Sequence, residues 1–340
     1  MKNHKGFSDR KISKRKIIGA VALVLAAVLV LYVALWLVDR YVDGNKGGTT
    51  TFPVAQKVDE KVTFNGKEYV KKNNIETLLV MGLDKFEGSF SEDSYNNDRQ
   101  ADFLMLFVFD HSANTYSALH INRDTMAQMD ILGVSNQKLG TITQQLALAH
   151  TYGDGKDDSC KNTVNAVSRI LANTEIEHYL SVTMDAVAEI NDRVGGVEVT
   201  VLDDFTGIDD TLVKGETITL YGDKALTYVR TRYGMDDSTN NTRMIRQRQY
   251  LEALFDTAKN AAEDDDDFIV DTTLAMSEYF VSDYTVNRLQ DLLECISEYE
   301  FSEIYTIDGE SILGEKNIEF YPDEDSINNA LIQLIYTPVK

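Results

Sequence analysis

The chain has 340 residues and a formal net charge of -22. A body this acidic repels polyphosphate through its mean field, which excludes non-specific nucleic-acid binding, so no nucleic-acid partner is expected. The charge is uneven: Lys2, Lys5, Arg10, Lys11, Lys14, Arg15 and Lys16 face Asp9 alone, so residues 1–16 carry +6 and the remainder -28.

Ile17–Val38 is an uncharged apolar run of 22 residues. At about 1.5 Å per residue it spans about 33 Å, enough to cross a bilayer. The basic residues precede it, so the positive-inside rule places residues 1–16 in the cytoplasm and the rest outside. Trp36 and Tyr41 sit at the outer end, where interfacial aromatics belong. A cleaved signal peptide is the alternative, but its apolar core is shorter and ends in small residues, whereas this run ends in Trp-Leu-Val-Asp-Arg. The expected organisation is a cytoplasmic tail (1–16), one N-terminal transmembrane helix (17–38), an extracellular stalk (39–61) and a single domain (62–337) in a single-pass protein of the cell membrane.

"VTFNGKEYV" (Val62–Val70) alternates apolar and polar residues around Asn65-Gly66, which predicts a tight hairpin. Strand-like runs follow: one ending at Asp84, then Ala101–Asp110, Thr115–Ile121, His178–Thr183 and a run from Gly195. Several are apolar throughout, as strands covered on both faces are. Helical patterns lie between and after them: Ile142–Tyr152, Cys160–Asn173, Met184–Val194, about Thr239–Ala261, Thr272–Phe280, Val286–Tyr299 and Asp325–Leu334, with a last strand near Ile318–Tyr321. This mixture predicts an α/β fold, a three-layer α/β/α sandwich with a central mixed sheet. The only cysteines, Cys160 and Cys295, lie in the outside portion; one disulfide or two buried free thiols are both open.

Tyr228–Tyr250 gathers Arg230, Arg232, Arg243, Arg246 and Arg248 in this acidic chain. Arg230 and Arg232 are two apart, and in an extended segment they share a side. At about 100° per residue, Arg243, Arg246, Gln247 and Tyr250 form one helical arc beside an apolar arc of Met244, Leu251, Phe255 and Ala258. Arg248 faces away, toward solvent. Arginines near a helix N-terminus, where cations are disfavoured, point to an external anion that also uses the free backbone N–H groups. Pairing with surface carboxylates is the plainer alternative. Asp84 ends one strand and Asp102 opens the next, so both carboxylates can meet at one rim of the sheet, where open α/β sheets take their ligands. Two hard oxygen donors suit Mg²⁺ when phosphates complete its shell; either aspartate alone could be a turn residue. "NRDT" (Asn122–Thr125) brings Arg123 to the same rim, with Asp124 orienting an arginine or capping a turn. No dinucleotide fingerprint, Walker lysine, His-Glu-x-x-His or Gly-x-Ser-x-Gly is present.

Six segments in order, "LLVMGLD", "ADFLMLFVFD", "INRDT", "HYLSVTMDAVAEINDRVGGVEVTV", "LVKGETITLYGDKALTYVRTR" and "RMIRQRQ", resemble the LytR–CpsA–Psr (LCP) family of bacterial cell envelopes over about Ile75–Ala261. The resemblance implies an α/β/α domain outside one membrane span that transfers glycopolymers from a polyprenyl-pyrophosphate carrier to peptidoglycan, with the carrier lipid in an apolar tunnel between sheet and helices. It implies Asp84 and Asp102 at Mg²⁺, and Arg123, Arg230, Arg232, Arg243 and Gln247 at the pyrophosphate. Asp102, Arg230 and Arg243 are the expected catalytic residues, Asp102 as proton acceptor from the attacking sugar hydroxyl. The chain departs from the family pattern at Gln100-Ala101-Asp102, where Arg99 is displaced by one position. It also departs at Asn240, where the family carries an acid that Asp237 would replace. A non-catalytic sensor or scaffold binding polyprenyl phosphates, and a lipid-pyrophosphate hydrolase, would use the same arginines.

Overall fold

The structure is a computed structural model that describes residues 61–84, 99–133, 135–232, 240–265, 267–315 and 317–339. The tail, the apolar run 17–38, nearly all of the stalk and Asp237 lie outside the described residues. Among the described residues no helix is long and apolar enough to cross a membrane.

The predicted hairpin is present as β1 (Lys61–Phe64) and β2 (Lys67–Lys71), paired antiparallel. Asn65 (φ 49°) and Gly66 (φ 73°) both take the left-handed conformation that a two-residue type I′ turn requires. The central sheet is formed by β3 (Ile75–Leu83), β4 (Ala101–Asp110), β5 (Thr115–His120), β8 (His178–Thr183), β11 (Phe280–Ser282) and β12 (Glu300–Thr306). Its order is β11-β8-β3-β4-β5-β12. The pairs β3–β8 and β5–β12 are parallel and the others antiparallel, so the sheet is mixed.

Helices flank both faces. On one, Leu79, Met81, Leu104, Leu106 and Leu119 are fully buried beneath α1 (Asp157–Ile170) and α7 (Glu324–Ile335). On the other, Leu78 and Phe109 pack against Leu289 and Leu292 of α6 (Val286–Ser297). A further apolar cluster joins α2 (Asp185–Arg193), the ribbon of β9 (Val197–Thr200) and β10 (Thr217–Leu220), α3 (Asp223–Arg230) and α4 (Asn240–Asp264). That cluster, with Phe205, Tyr228 and Tyr250 at its heart, sets where α3 ends and α4 begins.

Two expectations are corrected, and the alternatives left open for the cysteines are decided. Ile142–Tyr152 is not a helix: β7 (Lys138–Gln145) pairs with β6 (Met126–Leu132), and only Leu146–Thr151 coils, as a 3-10 turn. The alternation in Thr141-Ile142-Thr143 serves the ribbon, while the apolar run that follows imitates a helical face. Arg230 does not lie in an extended segment but is the last residue of helix α3, with Arg232 just beyond it. Cys160 and Cys295 are both free, the first buried and the second exposed.

Candidate active site

Strand direction builds the rim. β3 runs toward it, antiparallel β4 starts from it, and β5 returns to it. The Asp84 N–H donates to the Gln100 carbonyl (3.1 Å), and a register shift at Gly82–Leu83 opposite Ala101–Phe103 brings the start of β4 alongside the end of β3. Asp84 and Asp102 therefore stand on neighbouring strands at one end of the sheet.

After β5 the chain turns tightly. Asn122 accepts the Asp124 N–H through its side chain (3.0 Å) and the Thr125 N–H through its carbonyl (3.1 Å). The turn holds Arg123 against the start of β4: its Nη1 donates to Asp102 Oδ1 and its Nη2 to Gln100 Oε1 (2.6 Å). From the far side of the rim, Arg230 Nη2 donates to Asp84 Oδ1 (2.6 Å). Arg243, 3% exposed in the first turn of α4, lies 3.5 Å from Asp102 Oδ2 and donates from Nη2 to the Asp102 carbonyl (3.3 Å). Its Nε donates to Asn240 Oδ1 (2.8 Å), so the amide at 240 serves as acceptor where the family pattern has an acid. Burial lowers the pKa of Arg243 to about 10, leaving it charged at neutral pH.

Asp124 is the fixed counter-charge behind these groups. It is 1% exposed, lies 3.5 Å from Arg123 Nε and 3.9 Å from Arg232 Nη1, and accepts from Gln145 Nε2 (3.0 Å). Burial raises its pKa against the pull of these arginines. Of the two roles open to Asp124 in the sequence, orienting arginines is the one the contacts bear out. Among the described residues Arg123, Arg230, Arg232 and Arg243 thus meet Asp84, Asp102 and Asp124. The arginines do pair with carboxylates, but with those of the rim itself rather than scattered surface acids.

Arg246 is different. It is completely buried; its Nε donates to the Tyr228 carbonyl (3.0 Å), its Nη2 to the Thr231 carbonyl and its Nη1 to Asp203. Gln247 Nε2 donates to the Val229 carbonyl (3.2 Å). Together they satisfy carbonyls that the end of a helix leaves without partners, and so fasten the C-terminus of α3, with Arg230 and Arg232, to α4. The sequence arc placed Arg246 and Gln247 on the right face; what hid the clamp is that its acceptors are backbone atoms. Arg248, expected on a solvated face, is instead half-buried. The Arg99 carbonyl lies 3.0 Å from His150 Nδ1.

A strip of half-buried apolar side chains begins at the rim. On the face toward α4, Val80, Gly82, Phe103, Phe107, Leu180 and Val182 are only half-buried although they sit mid-sheet. Their counterparts on the opposite face, Leu79, Met81, Leu104 and Leu106, are fully buried. Phe255 of α4 stands over Phe107, with ring centroids 6.1 Å apart.

A mixed sheet flanked by helices, with four arginines and three aspartates meeting at the strand ends beside a strip of half-buried apolar side chains, defines this α/β protein. The LytR_cpsA_psr family model matches residues 43–334, and the chain belongs to that family. The chain is 29% identical over 202 residues to the polyisoprenyl-teichoic acid--peptidoglycan teichoic acid transferase TagU of Bacillus cereus, covering 59% of this chain and 58% of the relative. It is 26% identical to the corresponding transferase TagV of Bacillus subtilis, covering 73% and 60%. The chain therefore spans a little over half the length of these relatives. In fold it resembles the crystal structure of B. subtilis TagV (TM-score 0.58, 24% identity, 78% and 96% covered). It likewise resembles TagT bound to LI-WTA (TM-score 0.57, 22% identity, 77% and 90% covered).

Proposed function

We propose that the protein transfers a glycopolymer from a polyprenyl-pyrophosphate carrier to peptidoglycan by phosphoryl transfer. The observation that carries this reading is the meeting of Arg123, Arg230, Arg232 and Arg243 at the rim carboxylates, beside the half-buried apolar face of β3, β4 and β8. A lipid pyrophosphate has this shape: two adjoining phosphates for guanidinium forks and a hydrocarbon tail for the apolar face toward α4. The names of the TagU and TagV relatives support the substrate class.

The residues fit Mg²⁺ in kind. Asp84 and Asp102 are hard oxygen donors side by side, and Mg²⁺ is commonly held by one or two carboxylates with water and phosphate completing the shell. Among the described residues no group of three or more His, Cys, Asp or Glu gathers, so the pyrophosphate itself would supply part of that shell. Bound there, the ion would neutralise charge on the phosphate oxygens. The chain's own groups do the rest. Arg230 and Arg243 bind non-bridging oxygens and stabilise the charge that develops as the sugar hydroxyl attacks phosphorus. Arg123 and Arg232 position the second phosphate, and Gln247, through its bond to the Val229 carbonyl, holds the helix end from which Arg230 and Arg232 reach. Asp102 is the candidate to take the hydroxyl proton once a guanidinium releases one of its oxygens. Polyprenyl phosphate leaves along that apolar face.

The membrane is part of this reading. Residues 17–38 would anchor the chain with its N-terminus in the cytoplasm, 39–61 would form the stalk, and 62–337 would act outside, where both substrates lie. The test is transfer of a lipid-linked glycan to peptidoglycan by full-length protein with Mg²⁺. Arg230→Ala is the clean variant, because its side chain is 43% exposed and its loss leaves the core intact. It should abolish transfer without lowering stability. Full activity of this variant refutes the reading, and free glycan phosphate with no peptidoglycan adduct replaces it with hydrolysis.

A further inference from the structure

We propose that Arg248 anchors a second anion subsite, separated from the rim arginines by one wall, that takes a single saccharide unit bearing a carboxylate or a phosphodiester. A cleft of about 200 Å³ is lined by Asn122, Asn241, Met244, Ile245, Arg248 and Phe320, and closed by residues 306–309 with Asp308 among them. Arg123, Arg230, Arg232, Arg243 and Arg246 each meet a carboxylate. Arg248 makes no hydrogen bond or ion pair among the described residues, yet it is half-buried. Burial lowers its pKa even with Glu252 one helical turn away. A partly desolvated cation without a partner is the half of an interaction that an external anion completes.

The rest of the lining selects the ligand. Asn122, whose side-chain oxygen is already filled by the Asp124 N–H and Asn240 Nδ2, keeps an amide N–H to donate to a hydroxyl group, and the exposed amide of Asn241 stands beside it. Met244, Ile245 and Phe320 supply apolar surface of the kind the face of a sugar ring covers. Arg248 is the one cation among the described residues that line the cleft, so the cleft offers a partner for a single negative charge. Its volume is below the roughly 300–1,000 Å³ of drug-sized sites, leaving room for one ring.

Placement ties the cleft to the rim. Asn122 lines it and accepts from Asn240 Nδ2 (3.0 Å), while Asn240 in turn accepts from Arg243 Nε (2.8 Å). A saccharide in the cleft therefore lies just across this wall from a phosphate held by Arg243. The identity of the saccharide rests on the proposed transferase reading: it is either the acceptor sugar, with its carboxylate, or the first charged unit of the donor glycan, with its phosphodiester.

Two soluble probes separate these sources, a peptide-free muramic-acid-containing disaccharide whose lactyl carboxylate is free and a short polyol-phosphate oligomer, each titrated calorimetrically into full-length protein in detergent. One of them should bind, Arg248→Met should weaken it by about tenfold or more, and Arg230→Ala should leave it unchanged. Loss for the carboxylate probe assigns the acceptor; loss for the phosphodiester probe assigns the donor glycan. Equal affinity of wild type and R248M for both probes, or binding of neither, overturns the subsite. Should R248M melt early, protection of wild-type Arg248 from phenylglyoxal by the bound probe decides in its place. Arg248-dependent binding by a wild type that transfers nothing removes the transferase reading and leaves the subsite. Normal transfer by R248M at unchanged donor and acceptor KM does the reverse.

Discussion

Replacing Arg246 by Met removes the clamp between α3 and α4 while keeping a side chain of similar reach. The guanidinium donates to the Tyr228 and Thr231 carbonyls and to Asp203, and lies 5.3 Å from the Phe205 ring centroid. Hydrogen bonds from a charged donor are worth about 1.5–3 kcal/mol each, and two carbonyls lose theirs. Asp203, with its side chain 24% exposed, regains part of its hydration, and the Met side chain preserves packing on Phe205. The expected loss is about 3–5 kcal/mol, or a melting temperature lower by on the order of 10 °C for a domain of this size. Asp203→Asn keeps both bonds to carbonyls and should cost about 1–2 kcal/mol. The assay is urea unfolding of the full-length protein followed by circular dichroism, with glycan transfer measured below the transition. Transfer should fall as well, because Arg230 and Arg232 lose their fixed origin. An R246M protein within about 1 kcal/mol of wild type, with transfer intact, would refute the claim that this buried guanidinium holds the end of α3.

Three further outcomes follow from the same contacts. Cys295 is exposed while Cys160 is buried, with burial raising its thiol pKa to about 12, so a thiol reagent should label one cysteine in the folded protein and two in urea. A reductant should leave the unfolding midpoint unchanged; a shift would indicate a disulfide. Burial lowers His120 to about 3 and His150 to about 4, well under the value near 6.5 of an unfolded histidine. Below about pH 6.5 the unfolded chain therefore takes up two protons that the folded chain refuses, and stability falls with a slope approaching about 2.7 kcal/mol per pH unit near pH 5. Glu76, whose burial is outweighed by hydrogen bonds from Tyr284 and His111, adds to this loss at lower pH, while Asp124, raised by burial, opposes it. A flat urea midpoint from pH 7.5 to 5 would contradict this. Asn240→Asp keeps the acceptor for Arg243 Nε and should retain transfer within a fewfold, whereas Asn240→Ala frees both Arg243 and Asn122 and should lower it about tenfold; equal activities would show that this acceptor does not position Arg243.

The parts of the fold legible in the sequence were those whose pattern is set by burial on both faces. β4 and β8 fall where their apolar runs placed them, and Asn65-Gly66 makes its turn because local backbone chemistry decides it. The β6–β7 ribbon was not legible, since Leu146–Ala149 supplies an apolar run that carries no sign of the 3-10 turn it forms. At the site, the aspartates at strand ends and the arginine spacing brought Asp84, Asp102, Arg123, Arg230 and Arg243 to one rim. Spacing could not divide the arginines into those that face a ligand and those that face backbone. Arg243 and Arg246 share one helical arc, and only the location of the Tyr228 and Thr231 carbonyls separates their roles. Arg248 was placed on solvent because the residues that cover it, near 306–309 and Phe320, come from more than fifty positions away.

The pairing at the rim also explains how several arginines can be folded close together before any ligand arrives. Buried guanidinium groups repel one another unless counter-charges are fixed among them. Asp102 serves both Arg123 and Arg243, Asp84 serves Arg230, and Asp124 lies behind Arg123 and Arg232. Under the proposed function, these are not alternatives to substrate binding but its resting form. Phosphate oxygens would take the place of Asp84 and Asp102 on the arginines, and a divalent cation would take the place of the arginines on the aspartates. Such an exchange keeps each charge partnered throughout, so the site opens without leaving a bare ion. It also sets an asymmetry between the acids. Asp84→Asn removes a resting partner from an exposed arginine and should leave the fold intact. Asp102→Asn strips the carboxylate charge from two buried guanidinium groups and should weaken the fold as well as the reaction. Parallel unfolding curves for the two variants would show that the pairing at Asp102 is not what lets the buried cations coexist.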